Sequence, residues 1–300
     1  MKKKMLSMVL AVVMATMAFA GCGGSKAADA EAAKTETEKE SAAVTTESDG
    51  KPVLRVAMEC AYPPYNWTQK TDENGAVPIS GTDEYAYGYD VMVAKMICEE
   101  MGYDLEIIKT DWDSIILGLQ SGKWDMIIAG MGITEERKQS VDFSIPYKTT
   151  SNMIICRKDS PYANATSIDD LKGCKAITQM GTTWENVIPQ IEDVTVIPGL
   201  GTTVEVTVAV QSGKADVAVF DDPTCISACM SNQDLTYVKF EEGKGFAVPE
   251  GGSSTCGVAV RKGETELLDK INAALEDYTE EKQDADMLEA IKLQPLSTTE

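Results

Sequence analysis

From Val53 onward the apolar positions fall into short runs that alternate between two spacings, and that alternation predicts the elements. Val53–Met58 is a β-prone run that ends at Glu59. An aromatic, proline-broken loop follows at residues 60–67. Residues 69–87 carry Asp72, Asn74, Gly75, Pro78 and Gly81 and read as a surface excursion or hairpin. From Asp90, Val91, Ala94, Ile97 and Cys98 recur at helical spacing, and Gly102 ends that helix. Residues 105–108 then read as a strand and 114–119 as a helix closed by Gly122. Residues 126–129 form a buried strand bounded by Gly130 and Gly132. Strands alternating with helices predict parallel α/β packing.

The grammar then repeats. Residues 119–128, LQSGKWDMII, return at 210–219 as VQSGKADVAV. Both copies read helix end, glycine stop, aspartate and buried strand. Gln120 and Gln211 lie 91 positions apart, too far for a solenoid period, and the spacing fits two similar α/β lobes. Val204, Val206, Val208 and Val210 alternate like a strand, so a helix before the second copy is read from the repeat, against its own pattern. Two β-prone runs of similar make, Asn152–Arg157 and Thr255–Arg261, flank the second lobe and read as paired crossing connectors, a hinge. Residues 264–293 are amphipathic helix returning to the first lobe. The expected division is 51–154 for the first lobe, 155–254 for the second and 255–300 for the return.

The chain before Lys51 is of another kind. Lys2, Lys3 and Lys4 precede an apolar stretch at 5–19, and Phe19-Ala20-Gly21-Cys22 is a lipoprotein-type cleavage box with Phe19 where Leu is usual. Residues 1–22 are therefore expected to be a leader, with Cys22 acylated as the first mature residue and anchoring the protein to the membrane. Residues 23–50, rich in Ala, Glu, Lys, Thr and Ser, read as a solvated tether. Without the leader lysines the 27 cations fall to 24 against 48 anions, which argues against nucleic acid. The chain has no histidine, which removes Ser-His-Asp and Cys-His chemistry and leaves Cys225 and Cys229 a poor zinc site. The cysteines after Cys22 show no regular framework and read as small buried apolar residues. No catalytic group, metal or cofactor is expected.

In open α/β sheets ligands bind beyond the carboxyl ends of the strands. The first strand end presents Glu59 and Tyr62; the second presents Gly130, Gly132, Thr134 and Arg137. The third, residues 176–179, leads into Gly181-Thr182-Thr183-Trp184-Glu185, and the fourth ends at Phe220-Asp221-Asp222. Thr134, followed by Glu135 and Glu136, reads as a helix start, and Thr182 with Glu185 has capping-box spacing. Arg137 lies inside the first helix start, where a cation is electrostatically wrong unless an anion shares the site. Either the guanidinium and free N–H groups hold a carboxylate, or Arg137 pairs with Glu135, Glu136 or Asp142. Two anion sites and an acidic group suit a zwitterion.

With Tyr62-Pro63-Pro64-Tyr65, Gly88-Tyr89-Asp90-Val91, the 119–123 run, residues 129–137, Asp142-Phe143-Ser144, Pro146-Tyr147 and Gly181-Thr182-Thr183 in hand, the chain resembles a known family. It is similar to the extracytoplasmic amino-acid-binding proteins of ABC importers, bacterial solute-binding protein family 3, with a two-lobed type II periplasmic-binding fold. The matching residues span about 54–222. The resemblance implies that Arg137 clamps a ligand α-carboxylate with N–H groups near Gly132, Thr134, Thr182 and Thr183. It places the α-ammonium at the Gly130 carbonyl and Asp221, and stacks Tyr62 and Trp112 on the ligand. Gly132 departs from a residue that commonly carries a hydroxyl. Glu59, at the position from which the family reaches the ligand's side chain, favours a cationic amino acid, with glutamine the alternative. The implied partners are an amino acid, an ABC permease and the membrane. A dehydratase-type enzyme on a related fold is the competing class, and Asp125 and Asp216 read as structural.

Overall fold

The computed structural model describes residues 50–295; the leader, Cys22 and all of the 23–50 tether except Gly50 lie outside the described residues. The chain opens with β1 (Val53–Met58), β2 (Ala61–Tyr62), β3 (Asn66–Gln69), β4 (Val77–Pro78) and β5 (Tyr85–Tyr87). Next come α1 (Tyr89–Met101), β6 (Asp104–Lys109), α2 (Trp112–Gln120), β7 (Met126–Ile127) and β8 (Val141–Thr149). The middle holds β9 (Asn152–Arg157), β10 (Lys175–Ile177), β11 (Thr195–Val196), α3 (Thr203–Gln211), β12 (Val217–Asp221), α4 (Asp222–Ser231) and β13 (Leu235–Val238). The chain closes with β14 (Thr255–Arg261), α5 (Thr265–Leu275) and α6 (Glu280–Leu293).

Two sheets carry the architecture, ordered β6-β1-β7-β14-β8 and β11-β10-β12-β9-β13. Each is a parallel triplet extended by an antiparallel pair. In the first, β1 runs parallel to β6 and β7 while β14 is antiparallel to β7 and β8. In the second, β10 runs parallel to β11 and β12 while β9 is antiparallel to β12 and β13. Every residue of β12 is buried, as expected of a strand covered on both faces. The turn-rich excursion is a small antiparallel sheet of its own, β2-β3-β5-β4.

The repeat is real in three dimensions. Each helix, α2 and α3, stops at a serine followed by a left-handed glycine, Gly122 (φ 76°) and Gly213 (φ 77°). Asp125 and Asp216 then do the same work. The Asp125 carboxylate accepts the Arg55 N–H at 3.0 Å while its own N–H donates to the Arg55 carbonyl at 2.9 Å. Asp216 accepts the Lys175 N–H and returns its own to the Lys175 carbonyl, both at 2.8 Å. Each aspartate thereby locks one sheet's central parallel pair. The valine alternation before the second copy yields to helix: Thr202 and Glu205 form a reciprocal capping box, and Val204 and Val208 are left exposed.

The chain leaves the first sheet after Thr149 and enters the second at Asn152, so the crossing is Thr150-Ser151, upstream of the boundary expected at 154. Asn152–Arg157 and Thr255–Arg261 are full members of opposite sheets, with the crossings at their ends. Thr149 pairs with Thr255, and the Thr150 N–H donates to the Ser254 carbonyl at 2.8 Å, so the two crossings lie side by side. Asp222 accepts the Ser151 N–H at 2.8 Å, tying the crossing to α4. The C-terminal helices pack on α1 and β8, and α6 also reaches α4, where Gln294 and Ser227 are mutually hydrogen-bonded.

Candidate functional site

A cavity of about 440 Å³ lies where the strand ends of the two sheets face one another. Its size falls in the range of small-molecule sites, about 300–1,000 Å³. Of the residues singled out from sequence, Glu59, Tyr62, Trp112, Gly130, Gly132, Arg137, Thr182, Thr183 and Asp221 all line it. Thr134 does not. It is buried behind the wall, where its hydroxyl accepts the Arg137 N–H at 3.1 Å and fixes the turn that carries Arg137.

Neither expected helix start forms an α-helix. After Thr134 there is a single 3₁₀ turn, Arg137–Gln139, because β8 begins at Val141 and leaves no room for more. After Thr182 the chain makes another 3₁₀ turn, Thr183–Asn186, interrupted by the β-branched pair Val187-Ile188 and Pro189. Thr182 does not cap it. Its hydroxyl donates to the Gln179 carbonyl at 2.7 Å, and Glu185 reaches back to the Gly181 N–H at 2.9 Å. A helix macrodipole therefore contributes nothing at either position; local N–H groups and the guanidinium carry the positive potential.

Arg137 is half-buried. Its Nη1 donates to the Gly132 carbonyl at 3.0 Å and Nη2 to the Gly181 carbonyl at 3.4 Å, and its Cζ lies 5.1 Å from the centre of the Trp112 ring. Of the surface pairings open to it in the sequence, two are taken elsewhere, Glu135 by Lys138 and Asp142 by Lys262, and Glu136 acts on the guanidinium through its charge without forming an ion pair. Burial pulls the guanidinium below its ordinary pKa, and the nearby charge of Glu136 offsets that loss only in part. Gly132 occupies the non-hydrogen-bonded position of a bridge to Cys256, flanked by Ile133 N–H to Thr255 O and Gly257 N–H to Met131 O. Its own N–H is thereby released from the ladder. A Cβ at Gly132 would lie 3.5 Å from Arg137 Nη1 and 3.6 Å from Thr183 Cγ2, which places Thr183 opposite.

At the fourth strand end Asp221 is buried, with Oδ1 accepting the Thr224 N–H at 2.9 Å and Oδ2 the Tyr62 hydroxyl at 2.8 Å. Burial raises its pKa. The Gly130 carbonyl accepts from the Cys256 thiol at 3.2 Å. Tyr62 stacks on Tyr65 with ring centres 4.6 Å apart. Trp112 turns its face to Arg137 while its Nε1 donates to the Gly181 carbonyl at 3.1 Å, so its ring shields the guanidinium.

Glu59 is 6% exposed, and its carboxylate accepts from Gln179 Nε2 at 2.8 Å. Burial pushes its pKa up to about 7, opposed by the Gln179 hydrogen bond and reinforced by Asp90, Asp111 and Asp113. Gln179 also donates to the Gly201 carbonyl at 2.8 Å, so both amide protons are spent. What Glu59 and Gln179 leave for a guest are acceptor oxygens. Gln179 and Trp184, which also lines the cavity, carried no role in the sequence reading; the position of Gln179 at the end of the third strand was the available signal. The seven described cysteines are free thiols, and burial pushes Cys60 up to about 12, so it stays protonated.

Comparison with known proteins adds an independent line. The family model described as bacterial extracellular solute-binding proteins, family 3, matches residues 54–290. The arginine-binding extracellular protein ArtP of Bacillus subtilis is 29% identical over 286 residues, covering 92% of this chain and 92% of that protein. A solved ancestral arginine-binding protein bound to arginine is 34% identical with a TM-score of 0.62, covering 80% of this chain and 96% of that one. An ancestral arginine-binding protein bound to glutamine is 34% identical, also with a TM-score of 0.62, and the coverage is 79% and 96%.

Proposed function

The chain belongs to the bacterial extracellular solute-binding proteins of family 3, and from that membership we propose that it captures a free cationic amino acid, arginine first. Capture takes place in the cavity between the sheets. The amino acid is then delivered to an ABC permease, with the protein held at the extracytoplasmic face by an acyl anchor on Cys22. Arg137, with N–H groups at Gly132 and Thr183, takes the α-carboxylate. Asp221 and the Gly130 carbonyl take the α-ammonium. Glu59 and the Gln179 carbonyl oxygen take the side chain. The two lobes close on the ligand because it touches both only when they approach.

The observation that carries the reading is the pairing of a half-buried guanidinium that forms no ion pair among the described residues with an end where Gln179 has spent both amide protons and ionised Glu59 offers acceptors. A guanidinium has five N–H donors to place there; an acidic side chain has none and meets a carboxylate. Glutamine is the second reading. Glu59 sits near the middle of its titration at neutral pH, and its protonated form donates to an amide carbonyl. The ancestral relative found with glutamine fits the same view. A thermal-shift screen against the common amino acids tests both, since a ligand of the folded form raises the melting temperature by mass action. The largest shift is expected with arginine. The largest shift with glutamate or an aliphatic amino acid would remove the cationic reading.

A further inference from the structure

β1 and β7 lie side by side in the first sheet, and each breaks shortly after its last residue at a left-handed position: Cys60 (φ 53°) and Gly130 (φ 60°). Cys60 is not a glycine, so its conformation costs free energy and persists only where surrounding structure imposes it. Both turns face the cavity. One carries Glu59, and the other carries the Gly130 carbonyl.

The N–H of each left-handed residue is hydrogen-bonded to a side chain, and the Gly130 N–H also acts directly on the Asp90 carboxylate. The Cys60 N–H donates to Asn66 Oδ1 at 2.7 Å, and the Gly130 N–H to the Tyr147 hydroxyl oxygen at 2.9 Å. Those two side chains converge on one carboxylate. Asn66 Nδ2 donates to Asp90 Oδ2 at 2.7 Å, and the Tyr147 hydroxyl donates to Asp90 Oδ1 at 2.8 Å. Asn66, Asp90 and Tyr147 are all fully buried, and none lines the cavity. In its ionised form the Asp90 carboxylate accepts on both oxygens, one for each arm. A carboxamide offers one accepting and one donating end, so one of the two arms would meet a mismatch.

We propose that Asp90 is a positioning residue shared by both halves of the first-lobe binding surface: through Tyr147 it sets the Gly130 turn, and through Asn66 it sets the turn that carries Glu59. The proposal rests on the assignment of the cavity to an amino acid, with Gly130 at the ammonium and Glu59 at the side chain. It separates two arms with different signatures. The Tyr147 arm reaches the part common to all amino acids; the Asn66 arm reaches the part that discriminates among them.

The test is calorimetric titration of the folded protein and its variants with arginine and with glutamine. Tyr147→Phe should weaken both ligands by a common factor of about 10, the scale of one lost buried hydrogen bond. Asn66→Ala should weaken arginine more than glutamine, changing their affinity ratio by about the same factor. Asp90→Asn should show one or both effects. Ser144→Ala, which removes a buried hydroxyl from the same strand as Tyr147, should lower Tm and leave both affinities unchanged. Amide hydrogen exchange reads the network without ligand: Gly130 should exchange faster in Tyr147→Phe and Cys60 faster in Asn66→Ala, each without the other. If wild type binds neither amino acid, the assignment of the cavity fails and the exchange result decides the positioning role alone. Lowered Tm with unchanged affinities and unchanged exchange at both amides would overturn the proposal.

Discussion

The two copies of the helix–glycine–aspartate–strand segment are built alike at one end and differently at the other. At the entry to each strand, Asp125 and Asp216 make the same pair of backbone hydrogen bonds to a neighbouring parallel strand. At the exit they part. β7 runs out through left-handed Gly130 to Gly132 and Arg137, a wall of backbone groups and one cation. β12 runs directly into α4 through Asp221, which caps that helix and faces the cavity with a carboxylate. The shared end maintains the fold, and the divergent ends give the cavity one cationic and one anionic wall. Repetition thus marks what is structural, and departure from it marks the site.

Substitution at the divergent end should have the largest effect. Arg137→Ala should weaken arginine by about 2–5 kcal/mol, because a desolvated partner group is then left uncompensated. Arg137→Lys should recover little, since the planar fork is lost. Calorimetry on both variants checks this, and Tm should change far less than affinity.

The shared end should show the reverse, a loss of stability with affinity intact. Asp125→Ala should cost about 2–3 kcal/mol, since Asp125 also takes Arg55 Nη2 at 2.7 Å and Nε at 3.0 Å. Asp216→Ala, which loses the backbone bond alone, should cost about 1 kcal/mol. Urea unfolding with a ligand titration separates the two quantities. Equal costs would mean that the Arg55 pair adds nothing to the shared motif.

Legibility followed the same division. The repeat and the aspartates after the glycine stops were available in the sequence because local pattern and fold agree there, whereas the helix at residues 203–211 was available only from the repeat, against its own strand-like alternation of valines. The positions of Arg137, Asp221 and Glu59 were available as strand ends. Their settings were not. Thr134 and Thr182 follow capping statistics, yet Val141 and Pro189 cut both helices to single turns, an effect of what comes after each start. Gln179 and the Asn66–Asp90–Tyr147 network depend on side chains far apart in sequence meeting in the interior, which no local pattern encodes.

A further set of effects should come from protons. Burial raises Glu59 from 4.5 and Asp90 from 3.8, each to about 7, so the folded empty protein holds protons that the unfolded chain has released. Stability should therefore fall as pH rises from about 4 to about 7 and level off above. Arginine affinity should move the other way, because a cation favours ionised Glu59. It should rise by up to about tenfold per pH unit toward 7 and then flatten. Glu59→Gln should weaken arginine by about 1 kcal/mol or more and flatten its pH profile. The contribution of Asp90 is common to wild type and variant, so the difference between the two profiles isolates Glu59. A wild-type profile unchanged in Glu59→Gln would assign the titration to another group.

The most direct measurement is calorimetric titration of wild type and Arg137→Ala at pH 8 with arginine, agmatine, which lacks the α-carboxylate, and glutamate. The expected result is single-site arginine binding in wild type. Agmatine should be much weaker there, and arginine in Arg137→Ala should fall toward the agmatine value. Agmatine binding as tightly as arginine, or glutamate binding more tightly than either, would contradict the capture of a cationic amino acid clamped by Arg137.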